Sequence, residues 1–219
     1  MTALHPIAEH ALLVEFGRQA TDQAHDQVLA LDAALTGTPP VGIRQTIPAH
    51  ASLMIEFDPA QTDHNRIGAA VQDLLSAPAG PRPTPAEHLI DICYDGPCAP
   101  DLDAVARASG LDREQAAACH LSGEYRVRIY GFAPGYAYLS GVPEPLRLPR
   151  KPKALRDVPA GSVLIAGGQC IISTLTMPTG WWIVGRSPAR ILTGDPARPF
   201  LFDIGDIIRF RRIPESALR

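Results

Sequence analysis

The sequence predicts an α+β chain of two domains, a small ferredoxin-like α/β domain over 1–80 and a β-barrel domain over 81–219. Three observations carry this reading. The first third alternates helical and strand periodicities. A run of four prolines in nine residues, Ala77–Pro85, reads as a stiff extended linker. Beyond residue 132, eleven prolines punctuate short apolar runs, an all-β signature.

In chain order, Ala11–Phe16 is strand-like. Thr21–Leu35 places Ala24, Val28, Leu31 and Leu35 on one helical face, with Thr21 or Asp22 as cap and Gly37 and Pro39 as stop signals. Val41–Ile47 and Ser52–Phe57 read as strands, and Thr62–Leu75 as a second helix. His88–Tyr94 alternates; it either completes a split βαβ unit or opens the second domain. Asp101–Ser109 and Asp112–Leu121 are helices, the latter with Gln115 at the capping-box position. Glu124–Tyr130, Ser162–Ala166, Cys170–Ser173, Trp181–Val184, Pro199–Phe202 and Asp206–Phe210 are the barrel's expected strands.

The 219 residues are 46% apolar and 20% charged, which excludes a mainly disordered chain. The net charge of −3 conceals an asymmetry: residues 1–125 carry 6 Lys+Arg against 17 Asp+Glu, and residues 126–219 carry 14 against 6. Only Lys151 and Lys153 of the 20 basic residues are lysines, so the basic half either favours forked contacts to carboxylate or phosphate or reflects a high-GC genome that prefers Arg codons. An acidic chain without an aromatic-basic module argues against nucleic-acid binding. The stretch 158–185 lacks charge, but its glycines, prolines and polar residues make it buried strands rather than a membrane helix. Four cysteines without C-x-x-C spacing, and no secretory signal, indicate reduced thiols and a cytoplasmic location.

No P-loop, G-x-G-x-x-G, G-x-S-x-G or H-E-x-x-H motif occurs. All seven histidines lie at or before residue 120, so the β-rich part builds neither a Ser-His pair nor a His metal site of its own. The informative blocks are G-F-A-P-G-Y-A-Y-L at 131–139, L-P-R at 148–150, V-P-A-G-S-V-L-I-A-G-G-Q at 158–169 and G-W-W-I-V-G-R-S-P at 180–188. Arg147, Arg150, Lys151, Lys153 and Arg156 form a basic loop, either an anion site or a solvated edge.

These blocks, with the closing G-D-I-I-R-F at 205–210, resemble the family of the 5-oxoprolinase B subunit, also called allophanate hydrolase subunit 1. That family includes a sporulation-kinase inhibitor. The resemblance is strong over 88–213. It implies that the barrel is cyclophilin-like and that the chain pairs with a homologous larger subunit, of the type of the 5-oxoprolinase C subunit or allophanate hydrolase subunit 2. It implies ATP, with Mg2+ shared at the partner, as cofactor and 5-oxo-L-proline as substrate. Alternatives within the resemblance are hydrolysis or carboxyl transfer on urea-like amides, and non-catalytic inhibition of a histidine kinase. The sequence departs from the family pattern at Cys170–Thr174, Leu155–Arg156, Pro178–Trp181 and Leu192–Pro196.

His120, at a helix C-terminus that favours imidazolium, is expected to protonate a leaving group or hold a carboxylate; otherwise it caps the helix. Arg186, after an apolar strand and Gly185, suits bidentate anion binding, or else pairs with Asp195 or Asp203. Gln169 can hydrogen-bond a lactam or urea amide, with Gly167 and Gly168 allowing close approach, or satisfy a turn. Arg150 and Arg156 carry the same two readings as Arg186. Tyr136, Tyr138 and Phe132 wall a flat ligand or pack the barrel end, and Trp181 and Trp182 face opposite ways, one into the core and the other toward a groove or the partner, with Trp181 counted among the substrate-binding candidates. Cys170 reads as packing.

Overall fold

The computed structural model describes residues 2–77 and 84–218. Most of the expected linker, 78–83, lies outside the described residues. Contacts divide the chain into two units, Met1–Thr84 and Pro85–Arg219.

The first unit contains β1 (Ala3–Ala8), β2 (Ala11–Glu15), α1 (Asp22–Gly37), β3 (Ile43–Pro48), β4 (Ser52–Phe57) and α2 (His64–Ser76). Its sheet is antiparallel throughout, in the order β1-β2-β4-β3. Alternation on β2 and β4 turns Leu12, Val14, Leu53, Ile55 and Phe57 toward Val28, Leu31 and Leu35 of α1 and Ile67 and Val71 of α2. Each helix starts at a side-chain cap: Ala24 N donates to Thr21 Oγ1 at 3.1 Å, and Arg66 N to Asp63 Oδ1 at 2.9 Å. The connectivity selects the second of the two readings of His88–Tyr94, the one that opens the second domain. The additional strand is β1, a hairpin partner of β2, and the segment after the linker joins the other sheet instead.

The second unit holds β5 (Glu87–Ile92), α3 (Leu102–Ala108), α4 (Arg113–Leu121), β6 (Tyr125–Tyr130), β7 (Ala137–Ser140), β8 (Leu155–Val158), β9 (Ser162–Ala166), β10 (Gln169–Ile172), β11 (Met177–Thr179), β12 (Trp182–Arg186) and β13 (Ile207–Arg212). Seven strands form one sheet, ordered β12-β9-β10-β7-β6-β13-β5, while β8 and β11 pair separately. All pairings are antiparallel except β13 with β5, which is parallel. The sheet curls until its edges meet. Cys93, just past β5, exchanges backbone hydrogen bonds with Arg186 at the end of β12, at 2.8 and 2.9 Å. This bridge nearly closes the barrel and protects two edges.

Period-two alternation explains the uncharged stretch. On β9 and β10, Val163, Ile165, Cys170 and Ile172 enter the main core with Tyr125, Leu139, Val184 and Phe210. Leu164, Ala166 and Ile171 enter a second cluster on the opposite face with Tyr136, Val158, Trp181 and Ile183. Helices α3 and α4 add Leu102, Val105, Ala116 and Ala117 to the main core. The capping box at Asp112 and Gln115 forms as its sequence predicts. Pro199–Phe202 is not a strand: Phe200 makes only an isolated bridge to Leu192. Among the described residues no helix is long and apolar enough to cross a membrane.

Candidate functional site

The β6–β7 connection, 131–136, builds the first concave site. Gly131 N donates to Tyr136 O at 3.2 Å, and Thr174 Oγ1 donates to Pro134 O at 2.8 Å, fixing the loop from inside and outside. The backbone takes positive φ at Phe132 (73°) and Gly135 (71°). Glycine adopts that region without cost, whereas a bulky aromatic is strained there. The strained turn leaves the Phe132 side chain 77% exposed.

Alternation along β7 sends Ala137 and Leu139 inward, and Tyr138, with Tyr136 just before the strand, to the opposite face. There the rings run in sequence. Phe132 and Tyr136 have centroids 5.5 Å apart, Tyr136 and Tyr138 6.2 Å, and Tyr138 and Trp181 6.0 Å. The Arg150 guanidinium lies over Trp181, 5.7 Å from the ring centroid. With Ile171, Pro178 and Thr179 these residues enclose a cavity of about 170 Å³. Burial, reinforced by Tyr138, pushes the Tyr136 phenol up to about 12, so it stays a hydroxyl donor at neutral pH.

Arg150 is held by its neighbours. Trp182 Nε1 donates to Pro149 O at 2.7 Å, and Lys151 N donates to Gly180 O at 2.7 Å. Lys151 Nζ reaches Asp101 Oδ2 at 2.6 Å in a mostly buried ion pair. Arg147 Nε donates to Val142 O at 2.8 Å. Part of the expected basic loop is therefore internal scaffold, and Arg150 is the cation it presents to the aromatic cup.

Arg186 sits at the other end of β12, roughly 16 Å along the strand from Trp181. It lines a separate cleft of about 470 Å³ with Cys98, Ser187, Arg190 and Glu215. Neither Asp195 nor Asp203 pairs with it among the described residues; Asp203 lies 4.0 Å from Arg198. Gln169 is half-buried at the β9–β10 hairpin, where Gly167 (φ 54°) and Gly168 make the turn. Arg156 is exposed on β8.

The expectation of a charged His120 is corrected. His120 has no exposed surface, and burial lowers its pKa to about 3. Helix α4 ends inside the main core, so desolvation outweighs the helix dipole. Its Nδ1 is 2.7 Å from the Tyr94 hydroxyl, and its Nε2 is 3.9 Å from Cys170 Sγ. Cys170 is fully buried with its thiol pushed up by desolvation, as a packing residue. Thus Tyr136, Tyr138, Arg150 and Trp181 come together, whereas His120, Gln169, Arg156 and Arg186 lie elsewhere. Sequence reasoning misses Arg190 and the exposure of Phe132. R-S-P-A-R at 186–190 is the available signal for the first.

A barrel of this topology, joined to a smaller α/β unit, has a defined class. Residues 2–202 match the model of the carboxyltransferase domain, subdomain C and D, and the chain belongs to that family. It is 30% identical to the B subunit of 5-oxoprolinase from Bacillus subtilis (strain 168) over 224 residues, covering 97% of this chain and 93% of the relative. It is 42% identical to the corresponding B subunit of 5-oxoprolinase from Escherichia coli O157:H7 over 123 residues, 55% of this chain and 56% of the relative. Among solved structures, TTHA0988 superposes with a TM-score of 0.83 at 33% identity, over 94% of this chain and 40% of that one. The resemblance in the motif blocks is therefore a family relationship.

Proposed function

We propose that this chain is the B-type subunit of a cytoplasmic, ATP-dependent 5-oxoprolinase, acting in a hetero-oligomer with a homologous larger subunit. Similarity along nearly the whole chain to the B subunit of a 5-oxoprolinase supports the reading. The single observation that carries it is the aromatic cup with one cation at its rim. Four rings suit a flat five-membered lactam, and Arg150 suits its carboxylate. The Tyr136 hydroxyl is a neutral donor beside them.

In this chemistry the lactam oxygen attacks the γ-phosphorus of ATP, and the bond to ADP breaks. Water adds to the activated carbon, and the ring C–N bond breaks as nitrogen takes a proton. A second water releases the phosphate. The net reaction consumes ATP, 5-oxoproline and two waters and gives ADP, phosphate and glutamate. This chain binds and orients; the proton-transfer groups come from the partner, because His120 is sealed in the core. Mg2+ would be held by the ATP phosphates, as is usual for this ion.

The test is co-expression with the larger subunit and an assay of ADP formation that depends on 5-oxoproline. Arg150→Ala should raise KM for 5-oxoproline roughly 10- to 100-fold while leaving Tm unchanged. An assembled, folded complex without 5-oxoproline-dependent ATP hydrolysis refutes the reading. Urea-dependent carboxyl transfer by that complex would put the alternative in its place.

A further inference from the structure

The Arg186 cleft is the larger concavity, and the aromatic cup makes no use of it. Its wall is rigid. Arg186 is locked through both backbone groups to Cys93, and Ser187 N donates to Gly161 O at 2.7 Å. Ala189 N donates to Ser187 Oγ at 3.2 Å, and Pro188 restricts the turn between the two arginines. Arg186 and Arg190 are both exposed and both line the cleft. Among the described residues, neither has a carboxylate within 4.0 Å. Many other arginines of this unit do: Arg198 with Asp203, Arg209 with Glu124, Arg211 with Asp91 and Arg212 with Glu114.

Two guanidiniums on one fixed turn, neither paired among the described residues, leave a local positive charge that a ligand can neutralise. Glu215 also lines the cleft, and its one charge offsets one cation only. Cys98 does not offset the other: burial, then its contact with Cys93, pushes its thiol up to about 11, so it is neutral. A single carboxylate would use one fork and a fraction of about 470 Å³. A phosphate chain uses two forks and fills more of the space.

We propose that the Arg186–Arg190 cleft binds an organic polyphosphate, with the two guanidiniums clasping the phosphate chain. Naming the compound as a nucleoside triphosphate rests on the ATP-dependent reading above; the site itself rests on the unpaired arginines and the cleft.

Titration calorimetry on the full-length chain, at low and moderate salt, tests this with ATP, ADP, pyrophosphate and inorganic phosphate as separate probes. Binding is expected to weaken from ATP to inorganic phosphate and to fall with salt. Arg186→Ala and Arg190→Ala should each weaken ATP binding roughly 10- to 100-fold. The double lysine variant should recover only part of it, since the charge remains and the fork is lost. Folding is checked by Tm, which should hold because Arg186 closes the barrel through its backbone. Failure of every probe to bind, or equal binding by the double alanine variant, overturns the proposal. So does a double variant that binds ATP normally but no longer associates with the larger subunit, which would make the pair a docking surface. If arginine-dependent ATP binding is present and the assembled complex still ignores 5-oxoproline, the cleft stands and the 5-oxoprolinase reading falls.

Discussion

Lys151 and Asp101, fifty residues apart, form a mostly buried ion pair, and it fixes the residue beside it. Asp101 Oδ2 accepts from Lys151 Nζ at 2.6 Å and from Ile183 N at 2.8 Å. One carboxylate thus ties the start of α3 to β12 and to the segment carrying Arg150. Removing one member leaves the other charge buried without its partner. Lys151→Met should cost about 3 kcal/mol in urea denaturation. Asp101→Asn should cost less, because its amide oxygen still accepts from Ile183. Both should raise KM for 5-oxoproline through a displaced Arg150, more than either lowers kcat.

His120 gives the protein an acid-sensitive core. Its pKa is about 3 in the folded chain against an ordinary 6.5. Between these values the unfolded chain binds one more proton than the folded one. Stability is therefore complete above pH 6.5 and drains away as pH falls toward 3, by up to about 1.4 kcal/mol per unit. Chemical denaturation from pH 7.5 to 5 should show this slope in the native sequence. His120→Gln, less stable at pH 7 through lost packing, should show a slope shallower by one proton. Equal slopes would mean that the imidazole is charged in the folded state.

Gly185→Ala tests the barrel closure. A Cβ there would stand 2.6 Å from Ile92 Cδ1 and 2.7 Å from Ile92 Cγ1, at the seam where β5 and β12 approach. Overpacking of this kind costs about 1–3 kcal/mol. Ile92→Val at the same time should recover part of the loss, which a pair of denaturation curves reads directly.

Phe132→Gly should separate stability from function. The residue holds a left-handed φ and is largely exposed, so glycine relieves strain and removes no core packing. Tm should be unchanged or raised, by the equivalent of up to about 1 kcal/mol. The affinity for 5-oxoproline should fall, because one wall of the cup is gone.

Much of the fold is legible in the sequence because it obeys simple periodicities. The apolar spacing in 21–35 and 62–75 yields α1 and α2 within two residues, and the D-R-E-Q box yields α4. Strand β1 is not legible: A-L-H-P-I-A contains a proline and is mostly exposed at a sheet edge, so no buried alternation marks it. Strands β7, β8 and β11 are three or four residues long, too short for a period to register. The cup is legible as composition, since Tyr136, Tyr138, Arg150 and Trp181 all belong to glycine- and proline-rich blocks. His120 misleads because a helix terminus is visible in sequence while the packing of Tyr94, Tyr125 and Phe210 around it is not. Arg186 stands out in its motif, but nothing in the chain order reveals that β12 carries it away from the cup.

The parallel pairing of β5 with β13 has a consequence during protein synthesis. Residues 87–92 leave the ribosome early, yet their partner, 207–212, emerges only after every other strand of the sheet. The first unit can fold while translation continues, since all its strand partners lie within 57 residues of Met1. The nascent barrel must meanwhile wait with one strand unmatched and the apolar run 158–185 already exposed. A growing chain in that state is a substrate for chaperones, and a ribosome stalled before codon 207 would release a product with no way to close.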